Sequence, residues 1–175
     1  MYNSHINKSK RYDYAETERR IEQAHQLVTG QTLGDIKINL LIKHNAWLLS
    51  ERMNQELKQY ELSCTAYATL MMLHSTEGHT ANPSDMCLCT GETRANMTRI
   101  CDELVALNAV TRVDNPDDRR RVDLSLTPTG IELLKSIAPN IHTRMTHAYS
   151  TLDAEEKSTL EKLLLKLMKA LEQPD

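Results

Sequence analysis

Phenylalanine is absent from this chain of 175 residues, tryptophan occurs once, and glycine and proline number five each. Scarcity of the two residues that break helices, in a chain rich in leucine and methionine, points to a mainly helical fold. No stretch approaches the roughly 20 consecutive apolar residues of a membrane span. Met1-Tyr2-Asn3-Ser4-His5 opens the chain without the apolar core of a secretory signal. The expectation is a cytoplasmic protein with no membrane partner, whose four cysteines (Cys64, Cys87, Cys89, Cys101) are reduced thiols. An excess of basic charge is also lacking: 21 Lys+Arg stand against 24 Asp+Glu, a net of -3. That sum alone does not suggest a polyanion binder, but the placement of charge decides such binding, not its total. With 40% hydrophobic and 26% charged residues, the chain has the composition of about one folded domain.

Local patterns divide the chain. Residues 1–12 are polar. Residues 13–28 read as a charged helix with one narrow apolar stripe of Ile21, Ala24, Leu27 and Val28, stopped by Gly30. From Asp35 to about Tyr60 runs a long helical pattern. Its apolar set (Ile36, Leu40, Leu41, Trp47, Leu48, Met53, Leu57) is wide enough to predict burial on more than one side. Ser63 can cap a helix ending near Ser75, and Glu77-Gly78-His79 is a turn. Asn82-Pro83-Ser84-Asp85 starts a short helix with an Asn cap and Pro at the first helical position, and Thr90-Gly91-Glu92 breaks it. The next helix runs from about Thr93 to Leu107 and buries Met97, Ile100, Cys101, Leu104 and Val105. Asn108 suits its C-terminus, because Asn tolerates the left-handed conformation.

The period then changes from 3.6 to 2. Val110 to Asp114 and Val122 to Leu126 alternate around Asn115-Pro116-Asp117-Asp118, which predicts a β-hairpin with a polar, basic tip. Thr127-Pro128 restarts helix, and Pro139 is expected to kink it. Asp153-Ala154-Glu155-Glu156 reads as a capping box before a last helix expected to bury Leu160, Leu163, Leu164, Leu167, Met168 and Leu171. The fold class is therefore mainly α with a small β-hairpin. The order helix, short helix, turn, helix, hairpin is that of a winged helix-turn-helix, whose second helix enters the major groove of DNA while the wing reaches the flanking backbone.

The string Asn115 to Val122, followed by Leu124-Ser125-Leu126-Thr127-Pro128-Thr129-Gly130, resembles the wing and exit of the MarR family of transcriptional regulators. Thr98-Arg99-Ile100, Asp102-Glu103-Leu104 and Leu152-Asp153-Ala154-Glu155-Glu156 resemble it too. Within the family the likeness is to the MprA/EmrR-type subgroup, and more weakly to PapX-like regulators that repress motility genes. The resemblance covers residues 36–172. Two departures stand out: the 13–28 helix has no counterpart in a minimal member, and Asn108 stands where the family has Gly. What the resemblance implies is a homodimer that binds double-stranded DNA at a pseudo-palindromic operator, acting as a repressor. The division would be an N-terminal extension (1–34), a dimerisation helix (35–62), a DNA-binding lobe (63–127) and C-terminal dimerisation helices (128–175).

Hydroxyl, guanidinium and amide groups near a helix start are those that read base edges and bind phosphate. Thr93, Arg94, Asn96, Thr98 and Arg99 supply them, with an exposed polar helix face as the plainer alternative. Arg119, Arg120 and Arg121 form the densest basic run. The family's wing motif, Asp-x-Arg, falls on Asp118 and Arg120: the resemblance implies that the acid orients a guanidinium entering the minor groove. His44, Trp47, Tyr67 and Met71 sit on the two helices that flank the family's ligand cleft. Core packing competes there with a site for a small aromatic or phenolic effector. The cysteines show no zinc spacing and no cofactor is implied. No catalytic arrangement is visible, so an enzyme is not expected. A constitutive regulator without ligand, a winged-helix protein-interaction adaptor and a cysteine-based redox sensor remain as alternatives.

Overall fold

A computed structural model describes residues 14–25, 33–115, 118 and 120–173. The chain divides into two compact units, residues 1–55 and 56–175.

The first unit holds helix α1 (Tyr14–His25) and all but the last two residues of helix α2 (Leu33–Leu57). Ile21 of α1 is buried and lines, with Leu40, Leu41 and His44 of α2, a cleft of only about 10 Å³. Lys37 of α2 donates to Glu18 of α1 at 3.0 Å. The side chain of Ala24, and residues 27, 28 and 30, lie outside the described residues. Within the single chain the wide apolar set of α2 is only partly covered. Ile38, Leu41, Ile42 and Trp47 are exposed, because a 12-residue helix laid on one of 25 can cover only a stripe of it.

In the second unit most helix starts are where the capping chemistry puts them. After a single 3-10 turn at Lys58–Tyr60, α3 (Cys64–Ser75) begins with the Ser63 hydroxyl accepting from the Ala66 N–H at 3.1 Å. Gly78 and His79 take positive φ in the following turn. A two-residue strand, β1 (Thr80–Ala81), comes next, and α4 (Pro83–Thr90) is capped by Asn82 and closed by Gly91 at φ 69°. Helix α5 (Arg94–Ala106) is capped by Thr93 and buries Met97, Ile100, Cys101 and Leu104. Asn108 does adopt the left-handed conformation, at φ 53°.

Strands β2 (Val110–Asp114) and β3 (Val122–Leu126) form the hairpin, with Val110 opposite Leu126 and Asp114 opposite Val122. The sheet has three strands and not two, since β1 pairs antiparallel with the far edge of β3. A strand of two residues is too short to show a period.

Helix α6 (Pro128–Ala148) starts on a Thr127 cap. Thr127 also clasps the end of α5, its N–H donating to the Ala109 carbonyl at 3.0 Å and its hydroxyl to the Asn108 carbonyl at 2.7 Å. This clasp explains Gly130: a Cβ there would lie 2.1 Å from the Ala109 carbonyl oxygen. Pro139 does not end α6, which continues through it as one helix. Beside the proline, the Tyr60 hydroxyl donates to the Ser136 carbonyl at 3.4 Å and accepts from Asn140 at 2.7 Å.

The core of this unit joins Leu57, Leu70, Leu73, Met86, Met97, Ile100, Leu104, Leu124 and Ile137, each at most 1% exposed. Helix α7 (Ala154–Leu171) has the expected capping box of Asp153 and Glu156 but none of the expected burial. Leu160, Leu163, Leu164, Leu167, Met168 and Leu171 are 38–76% exposed, because no other described element covers that face. Between α6 and α7 runs an open groove of about 650 Å³, lined by Met145, Tyr149, Leu160, Leu164 and Met168 among others. Among the described residues, no helix is long and apolar enough to cross a membrane.

Candidate nucleic-acid interface

The start of α5 and the wing carry the polar groups singled out in the sequence. Thr93, Arg94, Thr98 and Arg99 are exposed and Asn96 is half-buried. The helix faces the groups outward because Met97, Ile100, Cys101 and Leu104 take its inner side. Four of these residues are already engaged, Thr93 by accepting the Asn96 N–H at 3.2 Å. Asn96 donates to Glu92 at 2.6 Å and accepts from Arg99 at 2.7 Å, and Arg99 also pairs with Glu103. Thr98 returns its hydroxyl to the Arg94 carbonyl at 2.9 Å, which leaves the oxygen as an acceptor. One turn further on, Asp102 pairs with Arg112 of β2. Arg99 and Arg112 are thus fixed in direction by acids of the same lobe. Any anionic partner would have to offer a better acceptor than the protein's own carboxylates to recruit them.

At the wing tip Arg120 is 91% exposed. Asp118 accepts its backbone N–H at 3.0 Å and its Nε at 3.3 Å. That contact uses Nε and leaves the two terminal nitrogens of an exposed side chain. These bonds, the backbone one foremost, hold the Asp118 carboxyl below the ordinary aspartate range. Arg121 lies 3.9 Å from Asp85 at the start of α4, on the side away from the tip. Arg119 lies outside the described residues.

Two residues of the wing and the cap of α4 form a buried cluster that local sequence does not mark. The alternation of Val122 to Leu126 predicts that Asp123 lies on the face opposite Leu124 and Leu126, yet it is only 6% exposed. Its two carboxylate oxygens accept from Asn82 Nδ2 at 2.8 Å and from Asn115 Nδ2 at 2.7 Å. Asn82 was read only as a cap and Asn115 only as turn chemistry. No local signal marks the trio, since both asparagines precede Asp123, by 41 and 8 residues, and the fold alone brings them together.

The effector candidates fall in both units. His44 and Trp47, in the first, stack with ring centroids 6.2 Å apart, and Trp47 is 37% exposed. Tyr67 and Met71, in the second, stand one turn apart on α3. Tyr67 is buried, which pushes its hydroxyl pKa up, and Met71 is 41% exposed. Of the cysteines, Cys101 is buried and burial raises its thiol pKa. Cys64 and Cys87 are half-buried and Cys89 is exposed; of Cys64 and Cys101, the two whose positions suit small core residues, only Cys101 is buried. Among the described residues no three His, Cys, Asp or Glu side chains gather as a metal site.

The MarR family model matches residues 60–121, which span α3, α4, α5, β2 and the wing tip. The transcriptional repressor MprA of Escherichia coli K12 is 34% identical over 139 residues, covering 79% of this chain and 79% of that protein. This chain belongs to the MarR family. The family is one of transcriptional regulators and not of enzymes, and DNA binding by a winged helix goes with it. The regulator PapX of Escherichia coli is 29% identical over 109 residues, 62% of this chain and 66% of its own. The fold agrees: Sco3205 of Streptomyces coelicolor, a MarR family regulator solved in complex with DNA, superposes with a TM-score of 0.74 at 20% identity over 83% of this chain and 92% of its own.

Proposed function

We propose that this MarR family member is a dimeric, cytoplasmic repressor that binds a pseudo-palindromic operator. In this reading residues 63–127 form the DNA-binding lobe. The N-terminal half of α5, with Thr93, Arg94, Asn96, Thr98 and Arg99, reads the major groove. Arg120 enters the minor groove with Asp118 setting its direction, and Arg119 and Arg121 add phosphate contacts. Residues 35–62 and 128–175 supply the dimer contacts, with 1–34 an extension added to them. The observation that carries the DNA assignment is Arg120: a guanidinium standing out at the wing tip, tethered by Nε alone to Asp118. Selection from random DNA is expected to return half-sites about one helical turn apart. Binding should fall by orders of magnitude between about 50 and 200 mM salt. Arg120→Ala should weaken binding to selected and unrelated duplexes alike, by about tenfold. Unchanged affinity in that variant removes the wing from the interface.

One observation favours a regulator without an effector. Of the effector candidates only His44 lines a described cleft, the one between α1 and α2, and that cleft measures about 10 Å³, too little for an aromatic acid. Trp47 is the only tryptophan, so its fluorescence reports the site. A panel of phenolic acids should leave both the fluorescence and DNA binding unchanged. A coupled change in both would instead establish an effector site at His44 and Trp47.

A further inference from the structure

A carboxylate only accepts hydrogen bonds, and a primary amide has a donor end and an acceptor end. Asp123, buried between Asn82 and Asn115, therefore forces both amides to turn their NH2 groups inward to it. Both amide oxygens must then point away. That of Asn82 accepts from the Ser84 N–H at 2.9 Å and caps α4. That of Asn115 accepts from the Asp118 N–H at 2.9 Å and closes the wing turn. Asp118 passes the constraint to Arg120 through two hydrogen bonds. An unbroken directional chain thus links the first turn of α4 to the guanidinium at the wing tip. Buried polar chains of this kind fix geometry when every member is satisfied.

We propose that Asp123 is a positioning residue for DNA binding, which sets the direction of Arg120 through Asn115 and Asp118. The proposal rests on the reading that Arg120 contacts DNA. Asp123→Asn keeps the shape but presents a donor to one of two donors. One flanking amide must then rotate and abandon its backbone N–H. Asn115→Ala breaks only the wing side of the chain and leaves the α4 cap in place, so it serves if Asp123→Asn fails to fold.

The test is a double-mutant cycle on the affinity of the full chain for a duplex carrying a selected site, with melting followed in parallel. Asp123→Asn or Asn115→Ala should each weaken binding about tenfold, and in an Arg120→Ala background should cost less than about twofold more. A role confined to lobe stability would give losses that multiply in that background, and that result, or no loss in either variant, overturns the proposal. If Arg120→Ala itself leaves affinity unchanged, the wing reading fails first and the positioning role falls with it. If Arg120→Ala weakens binding and the losses multiply, only the role of Asp123 is lost.

Discussion

Helices α5 and α7 carry apolar residues at the same spacing, and their fates in the chain are opposite. In α5, Met97, Ile100 and Leu104 are at most 1% exposed. In α7, Leu160, Leu163, Leu164, Leu167 and Met168 are 38–59% exposed, and none of the helix is buried. Periodicity specifies that a face will be covered, and it is silent on whether the cover comes from the same chain. The lobe around α5 finds its cover in α3, α4 and the sheet. The face of α7 is a contiguous apolar stripe of the kind that marks an interaction surface. A closed two-fold pair of chains is the simplest arrangement that covers it. On the proposed function the two regions divide the work, with α5 and the wing turned to DNA and α7 to a second copy.

The largest expected effect comes from placing charge in that stripe. Leu164→Glu with Leu167→Glu should convert a particle of about 40 kDa, twice the 20.0 kDa chain, into monomers at micromolar concentration. Sedimentation measures it, and an unchanged mass would place the dimer contact elsewhere. Truncation sharpens the same contrast. Ile100→Ala should lower the unfolding free energy by about 2–5 kcal/mol, the range for a buried aliphatic residue. Leu163→Ala, at 59% exposure, should leave the melting of a dissociated chain nearly unchanged. Equal losses in denaturant titrations would erase the distinction between the two faces.

Gly130→Ala should follow, at about 1–3 kcal/mol, because its Cβ meets a backbone carbonyl that cannot move alone. A thermal melt would show it. The smallest effect concerns pH. The Asp118 carboxyl is held below its ordinary range by the Arg120 N–H and guanidinium. A depressed folded value means that this contribution is complete above the unfolded aspartate value of about 3.9, and is lost only as pH falls through the folded value. Wing geometry should therefore be flat from pH 8 to 5. Carboxyl carbon shifts of Asp118 should titrate below the ordinary aspartate midpoint; a normal or raised midpoint would mean the pair is not formed in solution.

Legibility in the sequence follows the range of the signal. Ser63, Asn82 with Pro83, Thr93, Thr127 with Pro128, and Asp153 with Glu156 each cap a helix through contacts two or three residues away, and these starts could be read directly. The wing string marked the hairpin, Asp118 and Arg120 for the same reason. Asp123 could not be read this way, because Asn82 is 41 residues distant and only the packing of β3 beside the start of α4 brings the pair together. β1 was missed because Thr80 and Ala81 become a strand only through pairing with Ser125 and Leu124. Gly130 stood in a recognisable string, but its reason, the Ala109 carbonyl, lies across the fold. The apolar face of α7 is legible as one that needs a partner, but not which chain supplies the cover, since burial by a second chain and burial by the first leave one pattern.

The division of work is tested most directly by the mass of the protein bound to a duplex carrying its selected site, measured by sedimentation for the natural chain and for the Leu164→Glu, Leu167→Glu variant. The natural chain should bind as two copies per duplex, and the variant should bind as one with affinity reduced at least a hundredfold, the cost of losing a linked second half-site. A single natural chain bound per duplex, or a variant of undiminished affinity, would contradict the account.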